Sequence, residues 1–163
     1  METTTKTTAN TVLTPAQLLA HWQGHRGLTR RVIEAFPENE LFSYSIGGMR
    51  PFAAMVEELL GIAAPGIQEI VEKKTVELKE KLNHENSKEK LLAFWDDTTA
   101  KINAYWSTMD NVDYNRVYLS FGTYEGTVQS AIFYFIDNEI HHRAQAYVYL
   151  RSLGIEPPHF YER

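Results

Sequence analysis

The chain has 163 residues, which is the size of one domain and long enough to bury a substantial core. Hydrophobic residues make up 44% and charged residues 23%, a globular composition that excludes a disordered chain. The formal charge of −5 and the lack of clustered Lys and Arg argue against nucleic acid as a partner, because displacing phosphate counterions requires a basic surface.

Cysteines and long apolar runs are both missing from the sequence. Without cysteine there can be no disulfide, thiolate metal ligand or cysteine nucleophile, which suits a reducing cytosol. No run of about 18 uninterrupted apolar residues occurs, so we expect no membrane span. The Thr-rich residues 1–13 are predicted to form a disordered polar tail without a signal peptide, and residues 14–163 to form one domain. We expect a cytoplasmic protein.

Four segments show helical periodicity, and the first two are bounded by recognisable cap residues. Thr14 is predicted to cap the first helix, with Gln17 completing a capping box, and Pro37 lies just beyond its end. Pro51 is predicted to open the second helix at a first-turn position. Pro65 interrupts the apolar pattern of this helix and predicts a kink.

The second half of the chain predicts two further helices separated by an irregular segment. Asn86 or Ser87 can cap the third helix. From 109 to 127 the helical pattern breaks, and the many aromatic residues predict a partly ordered crossover packed across the other helices. The fourth helix is predicted over about 128–153, with Gly154 as its left-handed C-cap. The predicted fold is all-α, an antiparallel four-helix bundle with a long crossover connection before the last helix.

A helical bundle builds its site from polar residues that interrupt the apolar stripes, and the last helix offers the clearest case. Asn138 and His142 are spaced i, i+4 on one face, the spacing by which one helix offers two ligands to one metal. The alternative is a buried Asn–His hydrogen-bonded pair with no ligand. His141 is predicted to flank this face and Arg143 to lie on the outer side.

Two other helices carry candidate residues. His21 and His25 are also spaced i, i+4, with His25 on the core face of the first helix. They could chelate a metal, or be one satisfied core histidine beside an exposed one. Glu58 lies next to the apolar stripe of the second helix. It is either a boundary residue that reaches water or, if buried, the partner of a cation such as a metal or a protonated His25 or His142.

The last predicted helix carries a motif that matches a known family. The segment from Asp137 to Gln145, DNEIHHRAQ, followed by YLRSLGI at 149–155, resembles the last-helix signature of the DinB/YfiT-like family. That signature runs His-Glu-x-x-His-Arg-Gly-Gln and ends in Tyr-Leu-Arg and Leu-Gly-Ile. The segment MRPF at 49–52 is similar to the way that the family's second helix opens. The resemblance extends from about residue 14 to the end of the chain.

In this family a divalent metal, often nickel or zinc, is held by three histidines, one on helix two and two on the last helix. Carried over by the resemblance, the metal ligands fall on Glu58, Asn138 and His142, and only His142 keeps the imidazole. Glu58 is a competent oxygen ligand for zinc, nickel or manganese, whereas the amide oxygen of Asn138 is a poor one. The resemblance therefore implies a weaker metal site with more oxygen character.

Two functional hypotheses follow from the resemblance. The first is a metal-dependent enzyme of the thiol-transferase or hydrolase type acting on a small molecule, with His25 as a third ligand or general base and Arg50 as a group that binds a substrate carboxylate. The alternative is a metal-free bundle that binds a small molecule or takes part in a stress response without catalysis. The resemblance also implies a homodimer.

Overall fold

The computed structural model describes residues 12–79 and 81–163. Helix α1 (Pro15–Ala35) is followed by the short α2 (Glu38–Ser43) and by the long helices α3 (Phe52–Glu72), α4 (Lys88–Trp106) and α5 (Val128–Ser152). The predicted all-α four-helix bundle is confirmed by these four long helices. Most of the predicted tail, residues 1–11, lies outside the described residues. None of the described helices is both long enough and apolar enough to cross a membrane.

Cap residues set the helix ends where the sequence places them. The Thr14 side chain accepts a hydrogen bond from the backbone N–H of Gln17, whose side chain accepts the N–H of Thr14, so the capping box is complete. Ser87 is the residue that caps α4. Gly154 has a φ of 76° and ends α5 in the left-handed conformation. Helix α3 continues through Pro65 as one element.

Helix α5 packs between α1 and α3, and its contacts with α3 show how these two helices are oriented relative to each other. His142 contacts Glu58 near the start of α3, whereas Phe135 lies against Gly66 near the end of α3, so the two helices run antiparallel. A Cβ atom on Gly66 would come within 2.3 Å of the Phe135 ring. The glycine therefore allows the ring to sit directly on the α3 backbone, which brings the two helices close together.

The connection between α4 and α5 is more ordered than the sequence predicted. A short 3-10 helix (Met109–Asn111) leads into an antiparallel hairpin of β1 (Val117–Ser120) and β2 (Tyr124–Thr127). The predicted packing across the bundle holds for most of its aromatic residues, since Tyr114, Tyr118 and Phe121 lie partly buried against the core. Tyr124 is the exception, because 63% of its surface is exposed.

A buried carboxylate on α3 holds this hairpin in place. Both oxygens of Glu69 accept the backbone N–H of Phe121, at 3.0 and 2.9 Å. The Ser120 hydroxyl donates to Glu69 at 3.3 Å, and the N–H of Val76 donates at 3.2 Å. Among the described residues no ion pair involves Glu69. Neutral donors therefore satisfy a side chain that is only 3% exposed.

Replacing Glu69 by Gln should loosen the hairpin, because an amide nitrogen cannot accept the hydrogen bond that the carboxylate oxygen accepts from Phe121. We expect Glu69→Gln to lower the free energy of unfolding by about 1–3 kcal/mol, the usual cost of an unsatisfied buried group. Urea unfolding measures this loss, and limited proteolysis should cut faster between 117 and 127. Glu72→Gln, at an exposed position on the same helix, is the matched control. Equal unfolding midpoints and equal cutting rates in the two variants would contradict the anchoring role.

Candidate functional site

Glu58 lies at the centre of a polar cluster between α3 and α5. Its Oε1 accepts a hydrogen bond from Asn138 Nδ2 at 2.9 Å and lies 3.2 Å from His142 Nε2. Its Oε2 accepts from the Arg50 guanidinium at 2.6 Å. Three residues singled out in the sequence therefore meet at the carboxylate of a fourth. We call Arg50, Glu58, Asn138 and His142 the Glu58 cluster.

Two further residues of α5, Gln145 and Tyr149, help to hold the cluster in position. Because a carboxylate can only accept, Nε2 of His142 donates to Glu58. The other ring nitrogen of His142 lies 2.9 Å from Gln145 Oε1, which fixes the ring plane. The Tyr149 hydroxyl donates to the backbone carbonyl of Arg50 at 2.9 Å and so ties the segment before α3 to α5. These contacts align the cluster before any ligand arrives.

The hydrogen bonds of the cluster keep Glu58 ionised. Burial alone would raise the pKa of this carboxyl group, but the hydrogen bonds from Asn138, Arg50 and His142 outweigh that effect. They lower the pKa of Glu58 from its ordinary value of 4.5 to about 2. The Arg50 guanidinium, whose side chain is 51% exposed, is engaged by Glu58.

A cavity of about 340 Å³ opens beside the cluster, between α3, α5 and the hairpin. Glu58 forms part of its wall, together with Ile62 on α3 and Ala131 on α5. Half of the remaining lining residues are aromatic, namely Tyr118, Phe121, Tyr124, Tyr134 and Phe135. A concave, mainly apolar site of this size with a few fixed polar groups has the character of a small-molecule site.

The bundle, its helix order and its last-helix motif also agree with a known family. The sequence profile described as the DinB family matches residues 1–163. The chain belongs to the DinB family. No functionally curated protein matches it at a significant level.

Solved structures of two DinB-like proteins share this fold. A DinB-like protein from Bacillus cereus superimposes with a TM-score of 0.71 at 16% identity, over 90% of this chain and 97% of that one. The DinB-like protein YjoA from Bacillus subtilis superimposes with a TM-score of 0.69 at 18% identity, over 90% of this chain and 99% of that one. At these identities the likeness establishes the shared fold alone.

The structure does not bring His25 to the Glu58 cluster of this DinB-family chain. The ring of His25 is buried, with Nδ1 2.9 Å from Arg143 and Nε2 3.2 Å from both His21 Nε2 and Arg163. Burial, followed by the charges of Arg143 and Arg163 and by His21, lowers the pKa of His25 to about 4. Its placement corresponds to the alternative in which a satisfied core histidine lies beside an exposed one.

A second polar cluster, which the sequence analysis did not identify, lies between α5 and α1. Glu139, only 1% exposed, accepts from Thr29 Oγ1 at 2.7 Å and from Trp22 Nε1 at 3.2 Å. Guanidinium nitrogens of Arg26 and Arg143 lie 3.7 and 3.8 Å from its oxygens. Burial raises the pKa of Glu139, and the two arginines oppose that effect. We call these five residues the Glu139 cluster.

The prediction that Arg143 lies on the outer side of α5 is wrong. Arg143 is 5% exposed, because it pairs with Glu139 and also donates to the carbonyl of His25 and the hydroxyl of Thr29. Glu139 and Arg143 are spaced i, i+4, as Asn138 and His142 are. That second charged pair, one position along the same helix, was the sequence signal that could have revealed the buried cluster.

The donor set of the Glu58 cluster does not fit the three-histidine metal site of the family. No group of three or more His, Asp or Glu side chains in residues 12–79 and 81–163 is arranged to hold a metal. Glu58 and His142 supply two donors, and the Asn138 amide turns its NH₂ group toward Glu58. The Arg50 cation already balances the carboxylate, and a fixed positive charge beside a site opposes a divalent ion.

The pH dependence of stability tests the low pKa of Glu58. A carboxylate whose pKa is lowered by folding stabilises the protein above about pH 4.5, and this stabilisation disappears as the pH falls toward 2. We expect Glu58→Gln to lower the free energy of unfolding by about 1–3 kcal/mol at pH 7, since partners of the carboxylate lose a charged acceptor. The difference from wild type should shrink between pH 4.5 and 2.

Asp137→Asn, an exposed acid-to-amide change next to Asn138, is the control for urea unfolding across this pH range. It should track the wild type throughout. A deficit of Glu58→Gln that stayed constant from pH 7 to pH 2 would show that the lost stability does not come from ionised Glu58.

Proposed function

We propose that this DinB-family chain binds a small organic molecule in the cavity between α3, α5 and the hairpin, without a metal. The observation that carries the proposal is the cavity itself, with its volume of about 340 Å³, its aromatic walls and Glu58 exposed along one side. Volumes of this order suit small ligands. The proposal corresponds to the second of the two hypotheses drawn from the sequence.

The Glu58 cluster supports a metal-free role, because its carboxylate already has a cationic partner. Arg50 neutralises the carboxylate, Asn138 and His142 donate to it, and Gln145 holds the far side of the imidazole. Such a network needs no added cation to satisfy its partly buried groups. It provides a rigid polar end to the cavity, against which a ligand can be oriented.

Filling the cavity should abolish ligand binding while leaving the bundle folded. Ala131→Phe places a ring into the cavity from α5, whereas Ala144→Phe adds the same ring at an exposed position of the same helix. The neutral dye N-phenylnaphthylamine, which brightens in apolar surroundings, is the probe. We expect wild type and Ala144→Phe to bind it equally, and Ala131→Phe to bind it at least about tenfold more weakly, a difference of about 1.4 kcal/mol.

Circular dichroism and the thermal midpoint show whether Ala131→Phe is folded. Ser130→Trp, at an exposed position on the rim of the cavity, provides a second block. Undiminished dye binding in both folded variants, or no dye binding to the wild type, would overturn the proposed function.

A second candidate is the metal-dependent enzyme of the thiol-transferase or hydrolase type. The convergence of Glu58, Asn138 and His142 at one point favours it, because these are the positions that the resemblance assigns to metal ligands. Restoring an imidazole at 138 would recreate the family's i, i+4 histidine pair on α5. The two candidates therefore differ in how the protein responds to added metal.

Zinc titration followed by the thermal midpoint separates the two candidates. If the proposed metal-free role is right, wild type should show little stabilisation by zinc, whereas Asn138→His should gain it, because binding to the folded state alone raises stability. Glu58→Gln in the Asn138→His background should lose part of that gain. Strong, saturable stabilisation of the wild type at an equimolar amount of zinc would instead favour the metal-dependent enzyme.

A further inference from the structure

We infer that the molecule bound in the cavity is an organic cation, a protonated or quaternary amine that carries an apolar group. The inference rests on the proposed function, since it takes the cavity to be the ligand site. It goes beyond that function by naming the charge and chemical class of the ligand.

The charged side chains on the cavity wall are all acidic. Glu58 and Glu125 line it, and the described lining residues include no Lys, Arg or His. Arg50 balances Glu58 by contacting its other oxygen. Glu125, exposed on β2, takes part in none of the ion pairs formed by the described residues. An amine that enters the cavity therefore meets a carboxylate without a cationic partner.

A third carboxylate lies directly behind the wall. Glu69 binds the Ser120 hydroxyl and the Phe121 N–H, and both of these residues line the cavity. Glu58 and Glu69 are eleven residues apart on α3, which places them about 16 Å apart along nearly the same helix face. The two carboxylates thus bracket the α3 side of the cavity. Burial raises the pKa of the Tyr118 hydroxyl, and the nearby Glu69 charge raises it further.

The aromatic walls provide the second attraction for a cation. The negative face of an aromatic ring attracts ammonium and guanidinium groups. The protein already uses one ring of the wall in this way, because the Arg116 guanidinium lies 5.4 Å from the centre of the Tyr118 ring. Ile62 and Phe135 form an apolar part of the wall, which suits the hydrocarbon part of an amine.

The same features disfavour an anionic ligand. A carboxylate or phosphate in the cavity would lie beside Glu58 and Glu125, and the lining residues offer no cation to it. Like charges in a partly desolvated site repel strongly, whereas a neutral ligand would gain only from the apolar walls. Charge therefore discriminates among ligands of equal size and shape.

A matched series of aromatic probes tests the inference. Benzyltrimethylammonium is the cation, neopentylbenzene is its neutral isostere, and phenylacetate is an anion of comparable size. Competition with bound N-phenylnaphthylamine measures each affinity in the wild type. We expect the cation to bind at least about tenfold more tightly than the neutral isostere, and the anion to bind most weakly. The advantage of the cation should shrink at high salt, since Glu125 lies on the exposed rim.

Variants of Glu125 test whether this residue causes the tighter binding of the cation. Glu125→Gln should reduce the cation's advantage severalfold and Glu125→Lys should remove it, while binding of the neutral isostere stays unchanged in both. Glu156→Gln, an exposed change outside the cavity, is the control and should behave as wild type. Equal or tighter binding of the neutral isostere or the anion overturns the inference and leaves the proposed function standing. Failure of the dye to bind the wild type overturns both.

Discussion

The buried carboxylate of Glu139 fixes the rotation of α5, and the candidate site depends on that rotation. Glu139 receives hydrogen bonds from Trp22 and Thr29 on α1, so turning α5 about its axis would leave an unpaired charge in the core, at a cost of several kcal/mol. Asn138 precedes it by one residue and therefore points about 100° away, toward α3. The Glu139 cluster thus orients α5 so that Asn138, and His142 one turn later, both point toward Glu58.

Helix α3 fixes the positions of α5 and of the hairpin through two carboxylates. Glu58 binds side chains of α5, and Glu69, three turns further along nearly the same face, binds the backbone of the hairpin. These polar contacts fasten α5 and the hairpin to α3 at two points about three turns apart. The cavity lies beside these contacts, and the small side chain of Ala131 forms part of its wall. The two carboxylates thus position the elements that enclose the cavity.

Local signals in the sequence were sufficient for the four long helices and for the shared face of Asn138 and His142, but not for the short helix α2 or for features that depend on distant partners. Caps and i, i+4 spacing act within one or two turns, so the helix ends and the pair of Asn138 and His142 could be predicted. Burial of Arg143 depends on Glu139 and on residues of α1 more than a hundred positions earlier. The hairpin turn has a positive φ at Phe121, a position where Gly or Asn is usual. Glu69 on α3, far away in the sequence, accepts the backbone N–H of this residue.

The Glu58 cluster differs in charge from a site of three histidines. Three neutral imidazoles leave lone pairs that a divalent cation satisfies. At the positions that the resemblance assigns to two of these ligands, this chain has a carboxylate at 58 and an amide at 138, and Arg50 supplies a positive charge beside the carboxylate. The carboxylate therefore already has one cationic partner and two further hydrogen-bond donors. We infer that selection among ligands then falls to the cavity beside the cluster, where Glu125 takes part in none of the ion pairs formed by the described residues.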